Sequence, residues 1–131
     1  MNTTTNKIYV PNSVTPVATP FPTQTSAPPP PPELAGRTIT VFDGATNGIA
    51  YVAVRNGPSE VAGNAVTNRV YVANSGDNTV TVLDGVTNSV VATVAVGTFP
   101  SGITAWVNPS DNRTYLFVTN FGDNTVSVIR D

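Results

Sequence analysis

The 131-residue chain carries only 11% charged residues, six basic against eight acidic, and has neither cysteine nor histidine. A chain of this size folds as one domain with its own core, and the near-neutral balance leaves no basic stripe for nucleic acid. Zinc, haem and Ser-His-Asp chemistry lose their commonest ligands and base, so no metal, cofactor or catalytic set is expected. No window reaches the 18 apolar residues of a membrane span, and Met1 runs into polar Asn2 to Lys7 rather than into an export leader.

In chain order, period-two runs of Val, Ile, Thr and Tyr predict strands over Lys7 to Val10, Thr38 to Phe42, Ile49 to Val54, Arg69 to Ala73, Thr79 to Leu83, Val90 to Val96, Ile103 to Val107, Thr114 to Thr119 and Thr125 to Ile129. Turn clusters such as Asp43-Gly44-Ala45-Thr46-Asn47-Gly48, Ser75-Gly76-Asp77-Asn78 and Asn108-Pro109-Ser110-Asp111 separate them. No stretch shows a capped helical stripe. A tenth strand, Glu60 to Asn64, is assigned because it fills the slot of Ile103 to Val107. Between the first two strands lies a proline-rich insertion, residues 11–36, whose run Pro28 to Pro32 predicts an extended polyproline rod.

The chain repeats itself. Asn64 to Asn74 is echoed by Asn2 to Asn12 and by Asn108 to Asn120, and Gly76-Asp77-Asn78-Thr79-Val80 returns unchanged as Gly122-Asp123-Asn124-Thr125-Val126. Spacings of 41 to 46 residues built from short strands predict propeller blades. Tyr9, Tyr71 and Tyr115 are aligned as equivalent packing residues.

The segments Tyr71-Val72-Ala73-Asn74, Phe117-Val118-Thr119-Asn120 and Thr79 to Gly85 resemble the YVTN-type β-propeller repeat family, over everything except the insertion. The resemblance implies an all-β domain of four-stranded antiparallel blades, about three in this chain, in an exported or cell-surface protein of bacteria or archaea. It implies no shared catalytic motif. The chain opens on a second strand and closes on a third, so three incomplete blades leave open edges. The ring is then completed by oligomerisation, two chains giving about six blades, or by further blades. The segment Asn12 to Thr19, a degraded copy of Asn88 to Thr93, could also lend an edge strand to a neighbour.

Candidate ligand-binding residues are few. Asp77, Asn78, Asp123 and Asn124 could hold calcium or sugar hydroxyls, or could simply form hairpin turns. Trp106, the only tryptophan, could stack on a sugar or pack between blades. Glu60 enters an inner strand where the next repeat has Gly102, and with Arg55 and Arg37 it supplies the only ingredients of an enzyme. Tyr51 and Phe99 stand outside the repeat register. Asn2-Thr3-Thr4 and Asn112-Arg113-Thr114 fit the glycosylation acceptor pattern. The insertion and its loop face are the place for a protein or glycan partner. The functional expectation is a non-enzymatic structural or interaction module, with a lectin-like ligand binder as the alternative and a propeller lyase or hydrolase behind both.

Overall fold

A computed structural model describes residues 5–12 and 31–131. Among the described residues ten strands form where the alternation marks them: β1 (Lys7–Asn12), β2 (Thr38–Asp43), β3 (Gly48–Ala53), β4 (Pro58–Asn64), β5 (Arg69–Asn74), β6 (Thr79–Asp84), β7 (Val90–Ala95), β8 (Pro100–Val107), β9 (Thr114–Asn120) and β10 (Thr125–Arg130). They make three antiparallel sheets. The first is β1-β2-β3, the middle one is β4-β5-β6-β7, and the third is β8-β9-β10.

β4 and β8 both start earlier than Glu60 and Ile103. Pro58 and Pro100 open β4 and β8, and a bulge follows each before Glu60 and Gly102 resume pairing. A proline tolerates a strand's first position or a bulge, where no ladder N–H is required. The bulged Ser59 uses its hydroxyl to donate to the Ala73 carbonyl and, across to the third sheet, to the Pro100 carbonyl at 2.9 Å. In the insertion, Pro31 keeps polyproline geometry (φ −50°, ψ 141°), but Pro32–Leu34 closes into a single 3-10 turn. Residues 13–30, with the rest of the proline run and the possible edge segment, lie outside the described residues, as does Asn2-Thr3-Thr4.

Asparagine sets the turns. Of eight non-glycine residues with positive φ among the described residues, seven are asparagines, and each of these stands one or two residues before a strand, at 6, 47, 68, 78, 88, 112 and 124. Asparagine tolerates the left-handed conformation better than other side chains. At one end of the sheets, Asp43, Asn64, Asp84 and Asn108 each accept a backbone N–H two residues on, as in Asp84 Oδ1 with Val86 N at 2.8 Å. Backbone hydrogen bonds from Thr87 and then Val86 hold the Asp84 carboxyl below the usual carboxylate range.

Strand register gives every sheet two unlike faces. On β5 and β6 one face carries Tyr71 paired with Val82, and Ala73 paired with Val80. The other carries Val70 paired with Leu83, Val72 paired with Thr81, and Asn74 paired with Thr79. These are called the tyrosine face and the asparagine face. The tyrosine face of the first sheet (Tyr9, Ile39, Val41, Val52) packs on the asparagine face of the middle sheet (Val61, Val70, Val72, Leu83). The tyrosine face of the middle sheet (Tyr71, Val80, Val82) packs in turn on the asparagine face of the third (Ile103, Leu116, Val118, Ile129). Two cores therefore flank one central sheet.

The register corrects the tyrosine alignment. Asn74 pairs with Thr79 and Asn120 with Thr125, so counting back along each strand puts Phe117, paired with Val128, in the slot of Tyr71, paired with Val82. Tyr115 pairs with Arg130 and lies two residues away, where the middle sheet has Arg69. β9 is one residue longer than β5, and the extra length of the third repeat falls between the turn and this slot. Tyr71 is fully buried, whereas Tyr115 is half-buried.

Candidate functional site

The end of the sheets that receives the insertion gathers most of the candidate residues, because the hairpins at 75–78 and 121–124 and the crossovers at 54–57 and 96–99 all emerge there. The loops are zipped together. Gly76 N donates to the Asn56 carbonyl and Ser75 N to the Gly57 carbonyl, while Asp77 Oδ2 accepts from Asn56 N at 3.0 Å. The next repeat does the same: Gly122 N to Thr98 O, Phe121 N to Phe99 O, and Asp123 Oδ2 from Thr98 N at 2.8 Å. Asp123 Oδ1 also accepts the Thr125 hydroxyl at 2.6 Å. The Thr125 hydroxyl first, and Thr98 N next, hold the Asp123 carboxyl low.

These contacts give Asp77 and Asp123 a structural task, tying each crossover to the hairpin of the next sheet. Asn78 and Asn124 sit at φ 55° and 56°, as the turn requires, and Asn78 Oδ1 accepts Phe99 N at 2.8 Å. Among the described residues no cluster of three or more acidic side chains could hold a metal ion.

Phe99 is the eighth positive-φ residue, at 52°. Its counterpart Gly57 adopts 65° without strain, but a bulky side chain there is costly. Phe99 is 51% exposed and Phe121 73% exposed, with ring centroids 6.3 Å apart. The repeat offered a signal for this, since Gly57-Pro58-Ser59 aligns with Phe99-Pro100-Ser101.

Glu60 is exposed on β4 opposite Ala73. Arg55 and Arg37 are exposed as well. Open clefts of about 190 Å³, between β7 and β10, and about 200 Å³, beside β3, fall below the size of ordinary small-molecule sites.

Trp106 lies elsewhere. It pairs with Tyr115 on β8 and β9, with ring centroids 6.1 Å apart, on the tyrosine face of the third sheet. Phe117, Val126 and Val128 share that face and are 37%, 58% and 59% exposed. At the other end of the stack, Ile8, Val10 and Ile49 on the asparagine face of the first sheet are 41%, 49% and 44% exposed. Sequence reasoning marked open strand edges but not these two open faces.

Polar straps cross each closed junction. Lys7 Nζ donates to the Gly85 and Val86 carbonyls, and Tyr9 donates its hydroxyl to the Gly85 carbonyl at 3.1 Å. One junction on, Tyr71 donates to Asp131 Oδ2 at 2.6 Å and Asn64 Nδ2 to the Thr114 hydroxyl at 2.7 Å. Burial, then the Asp131 hydrogen bond, push the Tyr71 hydroxyl far above the usual phenol range. Within each sheet an asparagine clamps two hydroxyls: Asn12 with Thr38 and Thr40, Asn74 with Thr79 and Thr81, and Asn120 with Thr125 and Ser127.

No protein-family model and no curated protein matches this chain. Among solved structures it is similar to hydrazine synthase of Kuenenia stuttgartiensis, at 25% identity and a TM-score of 0.54. The likeness covers 72% of this chain and spans 29% of the hydrazine synthase chain.

Proposed function

We propose that the chain is a run of YVTN-type β-propeller blades, a non-enzymatic structural and interaction module of an exported or cell-surface protein, whose stack of sheets continues through neighbouring sheets to close a ring. One observation carries the reading. Both faces of the middle sheet are covered, while the outward faces of the two flanking sheets carry the same apolar pattern uncovered. Exposed apolar surface of this kind marks an interaction site in a soluble domain.

The recurrence of asparagine clamps and zipped loops in successive repeats supports a scaffold role, because residues used for the same structural task in each repeat leave little distinctive chemistry. The likeness to hydrazine synthase is taken as one of scaffold. The matched region is a minor part of that chain.

A second reading, a glycan or small-ligand binder at the zipped loop end, draws on one observation: the exposed Phe99–Phe121 pair, with Phe99 held in a strained conformation, is shaped for stacking.

Light scattering after size exclusion tests the first reading. A discrete mass above the 13.6 kDa of one chain supports continuation of the stack through other copies. A folded monomer restricts it to further blades of a longer chain. Saturable binding of an oligosaccharide, lost in Phe121→Ala, would move the function to the loop end.

A further inference from the structure

Resting on the stacked-sheet reading, the geometry points to a second copy of this chain as the occupant of the two open faces, docked head to tail. Each internal junction joins unlike faces, tyrosine on asparagine, and neither joins like to like. The open faces are one of each kind. The third sheet offers a tyrosine face (Trp106, Phe117, Val126, Val128) and the first sheet an asparagine face (Ile8, Val10, Phe42, Ile49). A second copy carries the complement of both.

Strand register makes the match residue by residue. Val128 occupies the slot of Val82, and Val126 that of Val80, both of which lie in the core formed with Leu116 and Val118. Ile8 and Val10 occupy the slots of Val70 and Val72, which lie in the core formed with Ile39 and Val41. Docking Val126 and Val128 onto Ile8 and Val10 therefore repeats a packing that the chain already makes twice. Lys7 and Asp43 fall on the opposite, covered face of the first sheet, so no charged side chain of β1, β2 or β3 stands in the way.

The contact is heterologous. Two copies joined once still present one open face of each kind, so the assembly either closes as a ring or grows as a filament. One difference from the internal junctions follows from the register: Phe117 replaces the tyrosine, so the junction between copies lacks the hydroxyl strap that Tyr9 and Tyr71 supply. The contact between copies is accordingly the weakest of the stack and dissociates on dilution before any sheet unfolds.

The absence of native cysteine allows a direct test. Val10→Cys and Val128→Cys chains, both altered at exposed positions, are mixed in the full chain and mildly oxidised. The mixed disulfide between the two variants should exceed either symmetric dimer several-fold, and Val128→Lys should abolish assembly with an unchanged circular dichroism spectrum. Symmetric Val128→Cys dimers in equal or greater yield would overturn the head-to-tail contact while leaving a stacked-sheet module that pairs like faces. A wild-type chain that stays monomeric at all accessible concentrations overturns the second copy as occupant. It leaves further blades of a longer chain as the cover, so the two failures are distinguishable.

Discussion

The middle sheet and the sheets on either side of it are built from one repeated sequence and meet opposite fates. Val70, Tyr71, Val72 and Ala73 on β5 are fully buried, whereas their counterparts Ile8 and Val10 on β1, and Phe117 on β9, remain open to solvent. Alternation decides which residues share a face. Whether a face is covered depends on the neighbour that stands against it, and only the middle sheet has a neighbour on both sides.

The sharpest way to break this comparison is to cut the same slot in two sheets. Tyr71→Ala should cost about 3–5 kcal/mol, because it empties a filled core and strands the Asp131 contact. Phe117→Ala, in the equivalent slot, should cost under about 1.5 kcal/mol in a dilute monomer. Urea unfolding of both reads the difference directly, and equal losses would mean that the third sheet's open face is covered in solution.

The asparagine clamp gives a second pair. Asn74 is fully buried and Asn12 half-buried, so Asn74→Ala should destabilise by about 1–3 kcal/mol and Asn12→Ala by about 0.5–1.5 kcal/mol. If the chain assembles, the Asn12 variant should converge on the larger loss as protein concentration rises.

Alkaline unfolding probes the middle sheet most strongly, because Tyr71 is raised furthest, while burial also raises Tyr9 of the first sheet. The folded Tyr71 phenol titrates above its unfolded value, so its stabilisation is complete below the unfolded value near pH 10 and is lost as pH rises toward the folded one. Tyr71→Phe should flatten that alkaline loss, as followed by thermal melts in steps of pH. At the acid end the sign reverses. Asp84 and Asp123 are held low by hydrogen bonds, so what they contribute is present above about pH 4 and fades as pH falls through their folded values. Asp123→Asn should shift the acid limb only slightly, because its carboxylate is exposed.

The smallest expected effect is a gain. Phe99→Gly removes a left-handed aromatic, a conformation costing roughly 1–2 kcal/mol, and pays back part of that in chain entropy, for a net rise of about 0.5–1 kcal/mol. A loss instead would show that the ring contact with Phe121 outweighs the strain.

All ten strands of the described residues are legible in the sequence, including weak Glu60 to Asn64, because period-two alternation and repetition reinforce each other where either alone is thin. The asparagine turns were legible for the same reason. The slot of Phe117 was not. The motif Asn-Arg-x-Tyr is matched from the turn end of the strand, whereas hydrogen-bond register is counted from Asn120 at the other end, and the extra residues of the third repeat lie between them. The task of Asp77 and Asp123 was hidden because it is non-local: each carboxylate reaches a crossover amide more than 20 residues away, at Asn56 or Thr98. The exposure of Trp106 was equally unreadable, since whether its face is covered depends on a neighbour outside its own repeat.

The directionality of the stack has an evolutionary consequence. Because each sheet meets the next through the same ordered pair of faces, unequal recombination that adds or removes one repeat yields a gene product with unchanged outermost surfaces. Copy number can then drift without any compensating substitution at a junction. Selection on such a lineage would then fall less on the junctions than on what each repeat needs to fold, the asparagine-to-hydroxyl clamp within each sheet among it.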